Sequence, residues 1–269
     1  MNRLKSVKIS PPLAALLLAI GLFLLGGILR PGFVSYGQAI NIVRLAAFLG
    51  IIAAGQTLVI LSGNAGIDLS VGAVVTLGAI LVFRYVDGQN SRVIPALGLA
   101  LAVGSGIGLV NGLGITFIGI PPLVMTLGMA GVVQGLILVV TQGEMIGDPA
   151  PIMSALISEP LIFDIPGVVI IWMILGGLMW LLLHRTRYGK QLFAIGVNRK
   201  TSRFSGVRVP LMVVATYALS GMLAALGGFM VLGFTGSVFL NLGDRYLFPS
   251  IAAVVIGGTV LAGGSGSYF

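Results

Sequence analysis

Residues 210–234 read PLMVVATYALSGMLAALGGFMVLGF, twenty-five consecutive positions without a charged side chain. As a helix this stretch would be about 37 Å long. That exceeds the hydrocarbon core of a bilayer, about 30 Å, which roughly 20 apolar residues cross. Working outward, similar stretches recur at about 11–29, 39–61, 69–86, 93–117, 120–141, 165–184 and 247–262. The reading is an all-α, polytopic transmembrane bundle of about eight spans, a single membrane domain over residues 1–269. The segments at 69–86 and 247–262 are the short ones.

Composition supports this. Hydrophobic residues make up 57% of the chain and charged residues only 8%, with a mean hydropathy of +1.12. A soluble domain carries roughly a quarter charged residues, so lipid must cover most of this surface. The 41 glycines suit membrane helices, whose backbones approach closely. There is no cysteine and one histidine, His184, which excludes disulfides, thiolate chemistry and a histidine-rich metal site. The net charge of +8 is explained by where the bases lie, and no nucleic acid is expected.

The charges sort by loop. Residues 185–209 hold Arg185, Arg187, Lys190, Arg199, Lys200, Arg203 and Arg208 and no acid, whereas 142–164 hold Glu144, Asp148, Glu159 and Asp164 and no base. Basic loops stay in the cytoplasm. With the N-terminus inside, six spans bring the chain back inside just before the basic loop, so span count and charge agree. Arg3, Lys5 and Lys8 precede the first apolar run. No small-residue cleavage site follows, so that run is read as a retained span.

Gly104, Gly108 and Gly112 form a smooth stripe every four residues in the fourth expected span, and Gly131 with Gly135 do the same in the fifth. Both are read as helix-packing stripes. Pro121-Pro122 opens the fifth span, where a missing N–H costs nothing.

Three stretches are less generic. In Gly63-Asn64-Ala65-Gly66-Ile67-Asp68-Leu69-Ser70-Val71-Gly72 an acid sits between two spans. Asp68 and Ser70 suit a helix N-terminus, where they would satisfy free N–H groups. They also suit a solute pathway, because an acid at a membrane faces protein or water. In the basic loop, Asn198 can cap a short helix over Arg199–Ser205 that Gly206 ends, offering a docking surface for a soluble partner. Residues 251–266, IAAVVIGGTVLAGGSG, suit close packing and a turn. No phosphate-binding Gly-x-x-x-x-Gly-Lys-Ser/Thr loop occurs, so any ATP is bound by another chain, and no catalytic, metal or cofactor constellation is visible.

Taken together these stretches resemble the permease subunits of bacterial sugar ABC importers, the ribose, galactose, xylose and autoinducer-2 group. The residues that carry the resemblance are Gly55-Gln56-Thr57-Leu58-Val59-Ile60 with Gly66 to Gly72, and Ile120-Pro121-Pro122 with Thr126-Leu127-Gly128 and Gly135. Further on they are Tyr188-Gly189, Ala194-Ile195-Gly196, Asn198 and Ser205-Gly206-Val207. Towards the end they are Tyr217, Leu219-Ser220-Gly221, Ile251 to Gly258 and Gly263-Gly264. The resemblance implies a separate ATPase subunit, a periplasmic solute-binding protein and a second permease subunit, identical or related, in the bacterial inner membrane. It places ATPase coupling on Asn198, Arg199, Lys200, Thr201, Ser202, Arg203, Gly206 and Val207, and a pathway role on Asp68 and Ser70.

This chain departs from the family pattern in three places. Asn64-Ala65 lengthen a turn. Lys200, Thr201 and Ser202 stand where an acid and two alanines are usual. The chain stops at Phe269 where relatives continue for one or two more spans, so a fragment or truncated product is expected. The nearest competing reading is a related importer permease for branched-chain amino acids or nucleosides. An ion-coupled secondary transporter would need paired charges within spans, and only Arg44 is a clear candidate. A membrane enzyme would need convergent catalytic groups.

Overall fold

The structure is a computed structural model that describes residues 10–162 and 164–268. Arg3, Lys5, Lys8 and Phe269 lie outside the described residues. The main helices are α1 (Pro11–Leu29), α2 (Tyr36–Leu61), α3 (Val71–Val86), α4 (Val93–Leu113), α5 (Pro122–Thr141), α6 (Pro151–Ile157), α7 (Gly167–Arg185), α8 (Arg187–Val197), α9 (Arg199–Phe204), α10 (Val209–Thr235) and α11 (Asp244–Ile256). Two short antiparallel strands, β1 (Pro160–Ile162) and β2 (Ile165–Pro166), join α6 to α7.

Their ends follow from local chemistry. The Ser35 hydroxyl accepts the Gln38 N–H at the start of α2, 3.3 Å away. Prolines stand in the first turn of α1, α5, α6 and α10, where no intrahelical donor is lost. α4 widens into a π-turn over Gly114–Ile118 and stops at Gly119, whose φ of 80° is left-handed.

Six helical stretches are long and apolar enough to span a membrane: Pro11–Leu29, Tyr36–Leu61, Asn90–Ile118, Pro122–Thr141, Gly167–Arg185 and Val209–Thr235. The two short segments of the sequence reading fall below that length. α3 has 16 residues but is enclosed by other helices, so its length need not match a bilayer. The expected span at 247–262 is not a continuous helix. α11 begins at Asp244 and ends after 13 residues at Ile256. Gly258, Gly263 and Gly264 then take φ values of 93°, 91° and 73°, and the chain folds back in a tight turn. Apolar composition fits a turn as well as a helix, and the glycines, which adopt left-handed backbone freely, decide between them.

α10 is the axis of the bundle, packed against α2, α3 and α4. Close backbone contact explains the small residues. A Cβ on Gly104 or Gly108 would collide with the carbonyl oxygens of Gly221 or Tyr217, and one on Gly112 would lie 2.6 Å from Val214 Cα. The fifth-helix stripe differs: nothing lies within 4 Å of a Cβ built on Gly128, Gly131 or Gly135. That face has no packing partner among the described residues, contrary to the sequence reading. α1 has no buried residue and touches the bundle at its start, beside the turn after α11.

The helices define two ends. At the basic end lie the C-termini of α2 and α7, the whole of α8 and α9, and the start of α10. There Gly264 N–H donates to the Leu61 carbonyl at 3.0 Å, and Gly258 lies against Pro12 at the start of α1. At the acidic end, Gly88 N–H donates to the Asp148 carbonyl at 2.9 Å, and Ile152 N–H to Asn90 Oδ1 at 3.1 Å.

Candidate functional site

The turn between α2 and α3 is a polar knot in an apolar bundle. Gln56 on α2 clamps the Asp68 backbone: its Nε2 donates to the Asp68 carbonyl at 2.7 Å, and its Oε1 accepts the Asp68 N–H at 3.2 Å. Asp68 Oδ1 accepts the Ser70 N–H at 3.0 Å and the Ser70 hydroxyl at 2.6 Å. Its Oδ2 accepts the Ser220 hydroxyl from α10 at 2.8 Å. Ser70 Oγ in turn accepts Asn111 Nδ2 from α4 at 3.0 Å, and Thr126 on α5 donates to the Ile67 carbonyl at 3.2 Å. Side chains of four helices therefore converge on the start of a fifth, α3. Asp68 and Ser70 are each 1% exposed and are engaged wholly by neighbours. The two inserted residues, Asn64 and Ala65, both adopt left-handed backbone, φ 60° and 52°, so the extra length forms an exposed bulge and leaves the knot intact.

Gln56, Ser220 and Thr126 fall in motifs that the sequence singles out, but their convergence on Asp68 was not legible there. Asn111 was missed altogether. Its signal is a lone amide in an apolar helix, one residue before Gly112, because a polar group in hydrocarbon requires a partner.

The basic loop folds as two helices where one was expected. Thr186 caps α8 through the Gly189 N–H at 3.2 Å, and Leu192 and Ile195 bury its apolar side. Asn198 Oδ1 then accepts the Thr201 N–H at 3.0 Å to cap α9. Gly206, with φ 82°, turns the chain out, and Val207 N–H closes back on the Ser202 carbonyl at 3.0 Å. Ser202 is buried, while Lys200, Thr201 and Arg203 are exposed. Phe204 at the tip is 81% exposed. Arg199 turns inward, its NH2 donating to the carbonyls of Ser62 and Gly63 at 3.3 and 3.4 Å. Burial lowers its pKa, and Tyr217 opposes that shift. The Tyr188 hydroxyl pairs with Thr216 at 2.8 Å. Burial pushes its pKa up to about 12, against the effect of that hydrogen bond, so it is neutral at physiological pH. Through Arg199, α9 grips the segment that leads into the Asp68 knot.

A third feature lies between α3, α5 and α11. Residues 236–243 run from the end of α10 back into the bundle, where Gly243 N–H donates to Thr76 Oγ1 at 2.9 Å. Two adjoining cavities, ≈ 430 and ≈ 220 Å³, share Gln134 and Asp244 in their linings.

The architecture is that of a multi-pass, all-helical membrane protein. Residues 38–268 match the family described as branched-chain amino acid transport system / permease component. The ribose import permease protein RbsC of Bacillus subtilis is 38% identical, over 92% of this chain and 77% of its own length. The fructose import permease protein FrcC of Rhizobium meliloti is 35% identical, over 94% and 71%. The autoinducer 2 import system permease protein LsrC of Yersinia enterocolitica is 34% identical, over 94% and 69%. No solved structure matches the chain. The chain belongs to this family of transport-system permease components.

Proposed function

We propose that the chain is the membrane-spanning permease subunit of an ATP-binding cassette importer that carries a sugar across the bacterial inner membrane. A separate ATPase subunit docks on the basic end, a second permease subunit pairs with this one, and a periplasmic binding protein delivers solute to the acidic end. The distribution of lysine and arginine supports a reading in which the basic end faces the cytoplasm. With α1 beginning at that end, a cytoplasmic N-terminus is part of the same reading. In this reading α3 and α11 are the seventh and eighth membrane segments, α3 being short because other helices enclose it.

The observation that carries the reading is α9. It is a capped helix at the basic end, with an exposed phenylalanine at its tip among exposed Lys200 and Arg203. An apolar anchor ringed by charge is how a docking element meets a soluble partner. Arg199 ties the same helix to the carbonyls ahead of the Asp68 knot, so force on α9 reaches the bundle. Asn198, Thr201, Ser202, Gly206 and Val207 shape α9. The sugar assignment draws on the relatives named for ribose, fructose and autoinducer 2. The alternative, an amino acid, draws on the family's description.

The test is purification of the tagged chain from its native membrane in mild detergent, with mass spectrometry of the proteins that follow it. A co-purifying nucleotide-binding subunit is expected, and its loss when Phe204 is replaced by Asp. An ATPase that still follows the Phe204→Asp variant refutes the docking assignment.

A further inference from the structure

Gln134, Asn241 and Asp244 are polar, exposed and deep. Gly243, next to Asp244, is hydrogen-bonded to Thr76. Thr76 is ten residues before Val86 at the acidic end of α3, or about 15 Å along the helix. Gln134 lies seven residues before the end of α5 at Thr141, or about 11 Å. Both therefore sit near the middle of a hydrocarbon core about 30 Å thick. All three side chains are exposed. None makes a side-chain hydrogen bond to another described residue.

A carboxylate and two amides do not face lipid at that depth, because an unpaired acid there is expensive. They line the two cavities described above, which follow α5 from Leu138 down to Leu127, about 16 Å of helix. α5 shows its bare glycine face along the same stretch. The backbone that carries Asn241 is irregular and re-enters the bundle. Irregular backbone at membrane depth is tolerated where it lines a water-filled cavity.

We propose that Gln134, Asn241 and Asp244 form a hydrated solute-contact site in the translocation pathway, and that it takes a neutral polyhydroxylated solute. This rests on the permease reading above. The chemistry selects the class. Asp244 accepts hydrogen bonds from hydroxyls, the amides donate and accept, and Leu127, Leu247 and Phe248 supply an apolar wall for the C–H faces of a sugar ring. Asp244 is the one charged side chain among the described residues lining either cavity. A phosphorylated sugar would meet it with no cation for its phosphate, and an amino acid could pair its ammonium with Asp244 but would leave its carboxylate buried without a cation. The site therefore favours sugars over branched-chain amino acids.

The absence of cysteine provides a direct test. Gln134→Cys and Asp244→Cys are made singly in the full chain, reconstituted in lipid vesicles and treated with a membrane-impermeant trimethylammonium methanethiosulfonate. Val139→Cys is the control, on the same helix and 73% exposed but outside both cavities. The two site variants are expected to react at least about tenfold faster than the control, since the thiolate that reacts forms only in water. D-ribose or D-fructose is expected to slow that reaction, and leucine or ribose 5-phosphate to leave it unchanged. Reaction no faster than the control overturns the hydrated pathway. Protection by leucine or the phosphate ester, or by none of the four, overturns the solute class. An ATPase that fails to co-purify refutes the importer reading separately and leaves the labelling result standing.

Discussion

Replacing Asp68 by alanine removes the acceptor for the Ser70 N–H and for the hydroxyls of Ser70 and Ser220, the last at 2.8 Å on Oδ2. No water reaches the site, since Asp68, Ser70 and Ser220 are at most 1% exposed. Each buried donor left without a partner costs about 1–3 kcal/mol. The Ser70 hydroxyl can turn away, so the Ser70 N–H and the Ser220 hydroxyl dominate, for a loss of about 2–6 kcal/mol. That is a large part of a typical folding free energy of about 5–15 kcal/mol. Asp68→Asn should behave differently. Its amide oxygen can still accept from Ser70, and its NH2 can donate to Ser220, whose hydroxyl rotates to accept. The penalty falls to about 1 kcal/mol, the difference between charged and neutral hydrogen bonds. The assay is unfolding of the purified chain from mild micelles by increasing dodecyl sulfate, followed by far-ultraviolet circular dichroism. If Asp68→Ala unfolds with the parent chain, or Asp68→Asn is as unstable as Asp68→Ala, hydrogen bonding by the carboxylate is not what holds the turn.

Gly108→Ala should destabilise strongly, by about 3 kcal/mol or more, because the added methyl meets the Tyr217 carbonyl at a backbone contact. Gly135→Ala, facing open space, should stay within about 0.5 kcal/mol of the parent in the same titration. Ala65→Gly should raise the unfolding midpoint, since left-handed backbone costs a residue with a Cβ about 1 kcal/mol. Gly206→Pro should leave the chain in the membrane but abolish solute-stimulated ATP hydrolysis by the assembled importer, because proline cannot adopt the φ of 82° that ends α9.

The apolar runs and the charge split between two loops were legible because lipid imposes them on any sequence that crosses it. α9 was legible too, since its cap and its terminating glycine lie within nine residues of each other. The knot was not. Its partners come from helices far along the chain: Ser70 to Asn111 spans 41 residues and Asp68 to Ser220 spans 152. One-dimensional pattern cannot pair them. The Gly131 and Gly135 stripe reads like the Gly104 to Gly112 stripe, and only the packing separates the one that faces a backbone from the one that faces open space. Asp244 escaped notice because the descent of residues 236–243 into the bundle has no periodic signature.

Five helices tied at one level, near the basic end, behave as a pivot. When they tilt against one another, points close to the tie barely move, and points farther away move in proportion to their distance. Asp244, beside Gly72 and Thr76, sits within about two turns of the tie. The acidic ends of α3 and α5 lie several turns beyond it. Small rotations would therefore change the spacing of the acidic helix ends far more than the spacing of Gln134, Asn241 and Asp244, so the proposed solute contacts would keep their arrangement while the acidic end moved around them.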